Sequence, residues 1–260
     1  MRVLASGSTD VGQIRQVNED SIKLVNEYRL WILADGMGGH AAGQLASQMS
    51  VDEISHFLTT SILKPNFKFP FDYEKQYTKE ENLLKSAIRS ANIRIYNRSL
   101  KEPQYQGMGT TTIAVQQVSE NQMIIGHVGD SRCYRFRKGI FEQLTMDHSL
   151  LNHLIYQMRM PPEEAKAKVG KNVIVRAVGL DDDVEVDLIK TQIEVDDLYL
   201  ICSDGLSDLL TSQFIVQVLQ HYGAHYPHCL DEVSKTLVYM ANQAGGYDNI
   251  SVILLYVVKA

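Results

Sequence analysis

The sequence predicts an α+β fold, in which antiparallel strands form the core and helices cover it. Short apolar runs bounded by polar turns are typical of buried strands, and such runs occur along most of the 260 residues. Several of them follow one another across short turns, which favours antiparallel pairing. The segments with helical periodicity are grouped instead of alternating with strands, so the order does not match a regular βαβ repeat.

The predicted elements begin and end with strands. Residues 3–8, 21–26 and 29–34 read as the first three strands. Apolar residues then recur at helical spacing over 45–62 and 84–95, on either side of a connector at 64–80 that has no clear period. The remaining predictions are strands at 110–118, 122–128, 132–136, 141–144, 173–178 and 198–202, a weakly helical region at 148–169, helices at 211–220 and 230–244, and a last strand from 250.

Composition favours a single soluble domain over residues 1–260. A hydrophobic content of 45% is enough for a full core, and no linker or internal repeat divides the chain. The net charge of −6 argues against a nucleic-acid surface. No apolar stretch approaches the roughly 20 residues that span a bilayer. Three cysteines without a CxxC pair are expected in a reducing compartment, which favours a cytoplasmic protein. We further expect a monomer that binds neither nucleic acid nor membrane.

Four aspartates stand at the ends of predicted strands. Three apolar runs end directly on Asp35, Asp130 and Asp204, and Asp248 just precedes the last strand. If that strand runs antiparallel to its neighbours, all four carboxylates gather at one edge of the core. Clustered carboxylates repel one another unless a cation neutralises them, and hard divalent ions such as Mg²⁺ or Mn²⁺ prefer oxygen ligands. The pattern therefore indicates metal-assisted chemistry.

Two polar motifs allow more than one interpretation. In the run from Asp35 to His40, the glycines permit close approach of the backbone to a ligand, but Asp-Gly is also a common turn pair. Arg15 precedes Asn18-Glu19-Asp20, where it can clamp a phosphate while Glu19 reaches a metal through water. A solvated polar turn is the alternative for this second motif.

Taken together, the motifs resemble those of the metal-dependent serine/threonine protein phosphatases (PPM, type 2C), and above all the compact bacterial members. They occur in the family's order and span most of the chain. The resemblance implies an α-β-β-α sandwich, with two antiparallel sheets packed face to face and a binuclear Mn²⁺ or Mg²⁺ centre at one end. The matching motifs are Arg15 with Asn18-Glu19-Asp20, Asp35-Gly36-Met37-Gly38-Gly39, Gly109-Thr110-Thr111, Gly129-Asp130-Ser131-Arg132, Asp147-His148-Ser149, Arg176-Ala177-Val178-Gly179, Cys202-Ser203-Asp204-Gly205 and Asp248-Asn249.

The resemblance also implies a set of metal ligands. Asp35 would bridge the two metals, and the carbonyl group of Gly36 would be a further ligand of the second. Asp204 and Asp248 would hold the first metal. Glu19 would lie near the second metal and bind it through water.

Further roles are implied for residues around these ligands. Asp130 and Asp204 resemble the pair that holds a weaker third metal in bacterial members. Arg15 matches the phosphate-binding arginine, Asp20 would support Glu19, and Asn249 would orient neighbouring ligands.

The implied reaction is hydrolysis of phosphoserine and phosphothreonine in proteins by a metal-bridging hydroxide, without a phosphoenzyme. The substrates would be those of a Ser/Thr kinase of the same cell. Met37 occupies the position where animal-type members carry a histidine, so the general acid is open between water on a third metal at Asp130 and His40, for which a structural role is the favoured interpretation. Residues from about 146 to 175 correspond to the family's flap. Two alternatives are an inactive binding module and a phosphatase of a small metabolite.

Overall fold

The computed structural model describes residues 1–39, 41–64, 67–169 and 173–260 of the chain. The strands are β1 (Arg2–Asp10), β2 (Asp20–Val25), β3 (Leu30–Met37), β4 (Gly109–Thr110), β5 (Thr112–Ser119), β6 (Gln122–Val128), β7 (Arg132–Arg137), β8 (Ile140–Gln143), β9 (Asp187–Gln192), β10 (Leu198–Cys202) and β11 (Ile250–Val258). The α-helices are α1 (Ala41–Leu63), α2 (Lys79–Lys101), α3 (Leu150–Asn152), α4 (Pro162–Lys168), α5 (Asp204–Ser207), α6 (Ser212–His221) and α7 (Leu230–Gln243). Among the described helices, none has the length and apolar character that a membrane crossing requires.

The strands form two antiparallel sheets. One sheet has the order β1-β11-β10-β7-β8, and the other has the order β2-β3-β5-β6-β9 with β4 paired to β3. The two sheets pack face to face, α1 and α2 cover the outer face of the second sheet, and α6 and α7 cover the first. The predicted four-layer sandwich is therefore confirmed.

Alternation along the strands explains the layering. In β11, Ile253 and Leu255 face the core between the sheets, whereas Val252 and Leu254 face the helices behind their own sheet. All four are fully buried. Because successive side chains of a strand point to opposite faces, a continuous apolar run indicates a strand that is covered on both sides. This is why the apolar run of the last strand predicted that it is buried.

The predicted strand at 173–178 is wrong, and β9 was missed. The apolar side chains of Val173 and Val175 are exposed, and the backbone of this segment makes only isolated bridges, such as the one between Val178 and Thr110. The edge position beside β6 belongs instead to β9, whose mixed polar sequence gives no apolar run. The single strand predicted at 110–118 is divided into β4 and β5, because the chain turns at Thr111 to contact Asp35.

Candidate metal centre

The four strand-end aspartates meet at one end of the sandwich. Asp35 lies near the end of β3, which continues to Met37, and Asp130 follows β6 of the same sheet, while Asp204 follows β10 of the first sheet. β11 runs antiparallel to both β1 and β10, so Asp248, before its start, lies beside the end of β10. The amide of Ser203 donates to the carbonyl group of Ser251 at 3.2 Å, which ties the two chain segments together at this point.

Asp35 is held through its main chain by two threonines. The carbonyl oxygen of Asp35 accepts hydrogen bonds from the amide of Thr111 and from Oγ1 of Thr110, both at 2.8 Å. Its own amide donates to Oγ1 of Thr111 at 3.1 Å. Burial, together with the charges of Asp20 and Asp204, raises the pKa of the Asp35 carboxyl well above its usual range. The backbone of Asp35 is therefore fixed by hydrogen bonds, whereas burial and the nearby negative charges disfavour the ionised form of its carboxyl group.

The pKa values of the neighbouring carboxyl groups are raised as well. Burial raises the pKa of Asp204 to about 7, helped by the charges of Asp130 and Asp248. Burial likewise raises the pKa of Asp20 to about 6 and that of Asp130 to about 6. Carboxylates that raise one another's pKa inside the protein need a compensating positive charge in order to stay ionised at neutral pH. An all-oxygen donor set of this kind fits Mg²⁺ or Mn²⁺.

Glu19 approaches the centre because two glycines leave room for it. The amide of Gly36 donates to the carbonyl group of Glu19 at 3.1 Å. A Cβ atom on Gly36 would lie 2.6 Å from that carbonyl oxygen and 2.1 Å from the carbonyl oxygen of Gly43. A Cβ atom on Gly43, which lies in α1, would lie 2.4 Å from Oε1 of Glu19. The first turns of α1 and the segment before β2 can therefore pack this closely only with glycine at both positions.

Asn249 connects the end of the sandwich to the segment that carries Arg15 and Glu19. Its Oδ1 accepts from the amide of Glu19 at 2.8 Å. Its Nδ2 donates to the carbonyl groups of Val11 at 2.9 Å and Val17 at 3.0 Å. The side chain is 4% exposed, so these three hydrogen bonds are shielded from water. This geometry suits the orienting position expected for Asn249.

Arg15 lies at the solvent-facing edge of the centre. Its Nη2 donates to Oδ2 of Asp248 at 2.8 Å, and the two side chains are 49% and 39% exposed. The other oxygen of Asp248 accepts from the amide of Asn249 at 2.8 Å. The guanidinium group therefore sits next to the carboxylates, yet remains open to an incoming anion.

Sequence reasoning missed three contributors to the site. Asp208, four residues after Asp204, adds negative charge that raises the pKa of both Asp130 and Asp204. Thr111 was part of a matching motif, but its hydrogen bond with Asp35 joins residues that are 76 positions apart in the chain. Gly43 lies in a helical pattern, where an isolated glycine carries only a weak signal. The spacing of Asp204 and Asp208 on one helical turn was the one usable signal.

A different group of donors forms the tightest cluster. Within the described residues, His127, His148 and Asp187 bring one ligand atom each to within 4.8 Å of one another. The amide of Gly129 donates to Nδ1 of His148 at 3.1 Å, while Nε2 of His148 lies 3.4 Å from Asp187 and 3.1 Å from Nη1 of Arg176. Arg176 also donates to Asp187, at 2.7 Å. We interpret this group as an ion-pair network, because an arginine already supplies the positive charge.

The sequence as a whole matches a family model described as protein phosphatase 2C over residues 13–240. The chain belongs to this family. It is 34% identical over 252 residues to the serine/threonine phosphatase stp of Listeria monocytogenes, with 95% of this chain and 93% of the relative covered. It is therefore a metal-dependent protein serine/threonine phosphatase.

Solved structures of family members have the same fold. The Mycobacterium tuberculosis serine/threonine phosphatase PstP/Ppp superposes with a TM-score of 0.82 at 32% identity, and 100% of both chains is covered. The catalytic domain of PstP in complex with two manganese ions gives a TM-score of 0.79 at 33% identity, with 99% of each chain covered. His40, one of the two expected sources of the general acid, lies outside the described residues.

Proposed function

We propose that two divalent cations, Mn²⁺ or Mg²⁺, bind at this end of the sandwich and that Asp35 bridges them. Asp204 and Asp248 hold the first cation, while the Gly36 carbonyl group and Glu19, through water, serve the second. The observation that carries this assignment is the mutual rise in pKa of the buried carboxyl groups, above all Asp35 and Asp204. Two manganese ions in the related PstP domain support the same number here.

A weaker third cation is proposed at Asp130. The carboxyl group of Asp130 affects the pKa of Asp204, and Asp208 affects both. Three carboxylates in close range offer a further cation site at the rim of the main centre. Water held there is one source for the proton that the leaving serine or threonine oxygen needs, since the Met37 side chain has none to give.

Arg15 is proposed to bind the substrate phosphate. A guanidinium group is planar and can donate two parallel hydrogen bonds to phosphate oxygens. Because it is half-exposed and bonded to Asp248, it can turn toward a phosphate without leaving the centre. Asp20 is proposed to support Glu19, the residue before it. Its Oδ2 accepts a hydrogen bond from Oγ of Ser203 at 2.8 Å. Asn249, just before β11, fixes the position of Glu19 and of the segment that carries Arg15 through hydrogen bonds to their main chain.

The chemistry is proposed to be a direct attack on phosphorus. When bound, a pair of divalent cations lowers the pKa of water and thereby supplies the nucleophile at neutral pH. The thiols are poor alternatives, because all three cysteines are buried and burial raises the pKa of Cys133, Cys202 and Cys229. A cysteinyl-phosphate intermediate is therefore not expected, and we propose that no phosphoenzyme forms.

The substrates are phosphoproteins, and we propose that a Ser/Thr kinase of the same cell produces them. We also propose that the protein is a cytoplasmic monomer. The three free cysteines support a reducing compartment. The related enzymes are named as serine/threonine phosphatases, which supports an opposing kinase.

Phosphate release from a phosphothreonine peptide tests the proposal. We expect release with Mn²⁺, none with EDTA, and a loss of at least about a thousandfold in kcat/KM for Asp204→Asn, since removing a ligand disables a two-metal site. Asp182→Asn, at an exposed aspartate outside the centre, is the matched control and should keep full activity. Full activity of Asp204→Asn would overturn the assignment. A small phosphomonoester turned over as well as the peptide would favour a metabolite substrate.

A further inference from the structure

Two loops run side by side at the rim of the metal centre in a fixed register. The amide of Gln13 donates to the carbonyl oxygen of Gly246 at 2.7 Å. Two residues further along each loop, Nη2 of Arg15 donates to Oδ2 of Asp248 at 2.8 Å. One residue of each loop therefore lies between these two contacts.

The two residues between the contacts are Ile14 and Tyr247, and both are large, apolar and exposed. Their exposed fractions are 66% and 65%. Val17, two residues beyond Arg15, is a third partly exposed apolar side chain on the same segment. We call Ile14, Val17 and Tyr247 the apolar rim. Single exposed apolar residues are ordinary, but neighbouring ones beside a functional group mark a binding surface.

The ring of Tyr247 is positioned by the chain beneath it. A Cβ atom on Gly245 would lie 2.5 Å from Cζ and 2.7 Å from Cε2 of the ring, so the ring rests directly against the backbone of this glycine. The φ angle of Gly245 is 135°, a conformation that other residues rarely adopt. The contact with Gly245 restricts the positions open to the ring, while most of its surface faces solvent and is accessible to a ligand.

We propose that the apolar rim binds an apolar side chain of the phosphoprotein substrate, within two residues of the phosphorylated serine or threonine. The inference rests on the proposed role of Arg15 in holding the phosphate. An extended polypeptide advances roughly 3.3–3.6 Å per residue, and Ile14 adjoins Arg15 in the chain. A substrate whose phosphate reaches Arg15 can therefore bring its neighbouring residues within reach of Ile14 and Tyr247. The rim thus selects among phosphopeptides, whereas a small phosphate ester does not extend to it.

Paired phosphothreonine peptides test the apolar rim. The two members of a pair differ in one residue, leucine or serine, placed one or two positions from the phosphothreonine on either side. For at least one position we expect the wild-type protein to prefer leucine by about tenfold in kcat/KM, because burying the leucine side chain is favourable. We expect the double variant Ile14→Ser, Tyr247→Ser to lose this preference. Hydrolysis of p-nitrophenyl phosphate measures the metal centre separately in each protein.

The matched control is the double variant Ile140→Ser, Tyr239→Ser, which removes similarly exposed side chains from the start of β8 and from α7. It should keep the wild-type preference. A wild-type protein without any leucine preference, or a rim variant that keeps it, would overturn the inference. Rim-dependent dimerisation in sedimentation would assign the surface to a second copy and also overturn it. Failure of the wild-type protein to hydrolyse p-nitrophenyl phosphate with Mn²⁺ would count against the proposed centre itself.

Discussion

Single residues at the metal centre differ in how far the sequence reveals them. The location of Asp35, Asp130 and Asp204 could be predicted, because a charged residue that directly follows an apolar run is expected near the end of a buried strand, where the side chain can leave the core. The position of Asn249 followed from a family motif, but its hydrogen-bond partners did not. They lie 230 or more residues away in the chain, and no local pattern encodes such a contact. The reach of Asn249 to three main-chain groups became visible only in the structure.

Replacement of Asn249 by alanine should weaken both the fold and metal binding. The change removes the side-chain partner of the amide of Glu19 and of the carbonyl groups of Val11 and Val17, which lie in partly buried positions. Such groups cost about 1–3 kcal/mol each, so we expect the free energy of unfolding to fall by about 3 kcal/mol in urea titration. Calorimetry should show Mn²⁺ affinity reduced by about tenfold or more. Exposed Asn121→Ala is the control, and equal values for the two variants would contradict the role of Asn249.

His127 should make stability depend on pH. Burial lowers its pKa to about 4, helped by the charge of His148, against about 6.5 in an unfolded chain. Between these values the unfolded chain binds more protons, so stability present above about pH 6.5 is lost as pH falls toward 4. His127→Phe keeps a ring that can stack on His148, whose centroid lies 4.7 Å away, but cannot titrate.

Urea titrations of both proteins at about pH 7.5 and about pH 5 measure this effect. We expect the wild-type protein to lose about 2 kcal/mol more than His127→Phe over this range, from the two pKa values. Groups such as Asp204 titrate in both proteins, so their contribution cancels in the comparison. Parallel pH profiles would show that His127 does not titrate as its burial implies.

At the scale of elements, apolar patterns predicted covered strands and long helices but not edges. β3, β10 and β11 read as continuous apolar runs because both of their faces are buried. The edge strand β9 contains Asp187, Lys190 and Gln192, since an edge with a wetter face tolerates polar residues. Helix α2 extends beyond its apolar periodicity at both ends, because polar residues such as Glu80 and Glu81, which follow the N-cap Thr78, still belong to the helix.

The packing of α1 against the segment before β2 predicts an unusual cost for alanine in a helix. Gly43→Ala should favour an isolated helix by about 1 kcal/mol. In this fold the added Cβ atom would lie 2.4 Å from Oε1 of Glu19, so the carboxylate must shift from its present position. We expect Mn²⁺ affinity to fall by about tenfold in isothermal titration. Gly223→Ala, where a Cβ atom meets nothing within 4 Å, is the control. Unchanged affinity in Gly43→Ala would contradict the proposed place of Glu19 at the metal.

At the scale of the whole molecule, the sandwich brings carboxylates that are far apart in the chain close together at one of its ends. Strand ends from both sheets deliver carboxylates to a buried place, where burial first, and then repulsion by neighbouring carboxylates, raises the pKa of Asp35 and Asp204. The sequence predicted this convergence on the condition that the last strand runs antiparallel to its neighbours, and β11 pairs in this way with β1 and β10. The sequence could not supply the strength of the repulsion, which depends on burial. The fold therefore concentrates negative charge that a cation must relieve.

Metal binding should accordingly stabilise the whole protein. A ligand at one hundred times its dissociation constant stabilises the native state by about 2.7 kcal/mol, equivalent to roughly 5–10 °C in Tm for a chain of this size. We expect calorimetry at about pH 7.5 to show this rise when Mn²⁺ replaces EDTA. Asp204→Asn should lose the response and yet melt higher than wild type in EDTA, because it removes one of the repelling charges that raise the pKa of Asp35. A variant that melts lower than wild type in EDTA but still responds to Mn²⁺ would mean that Asp204 stabilises the fold directly and holds no cation.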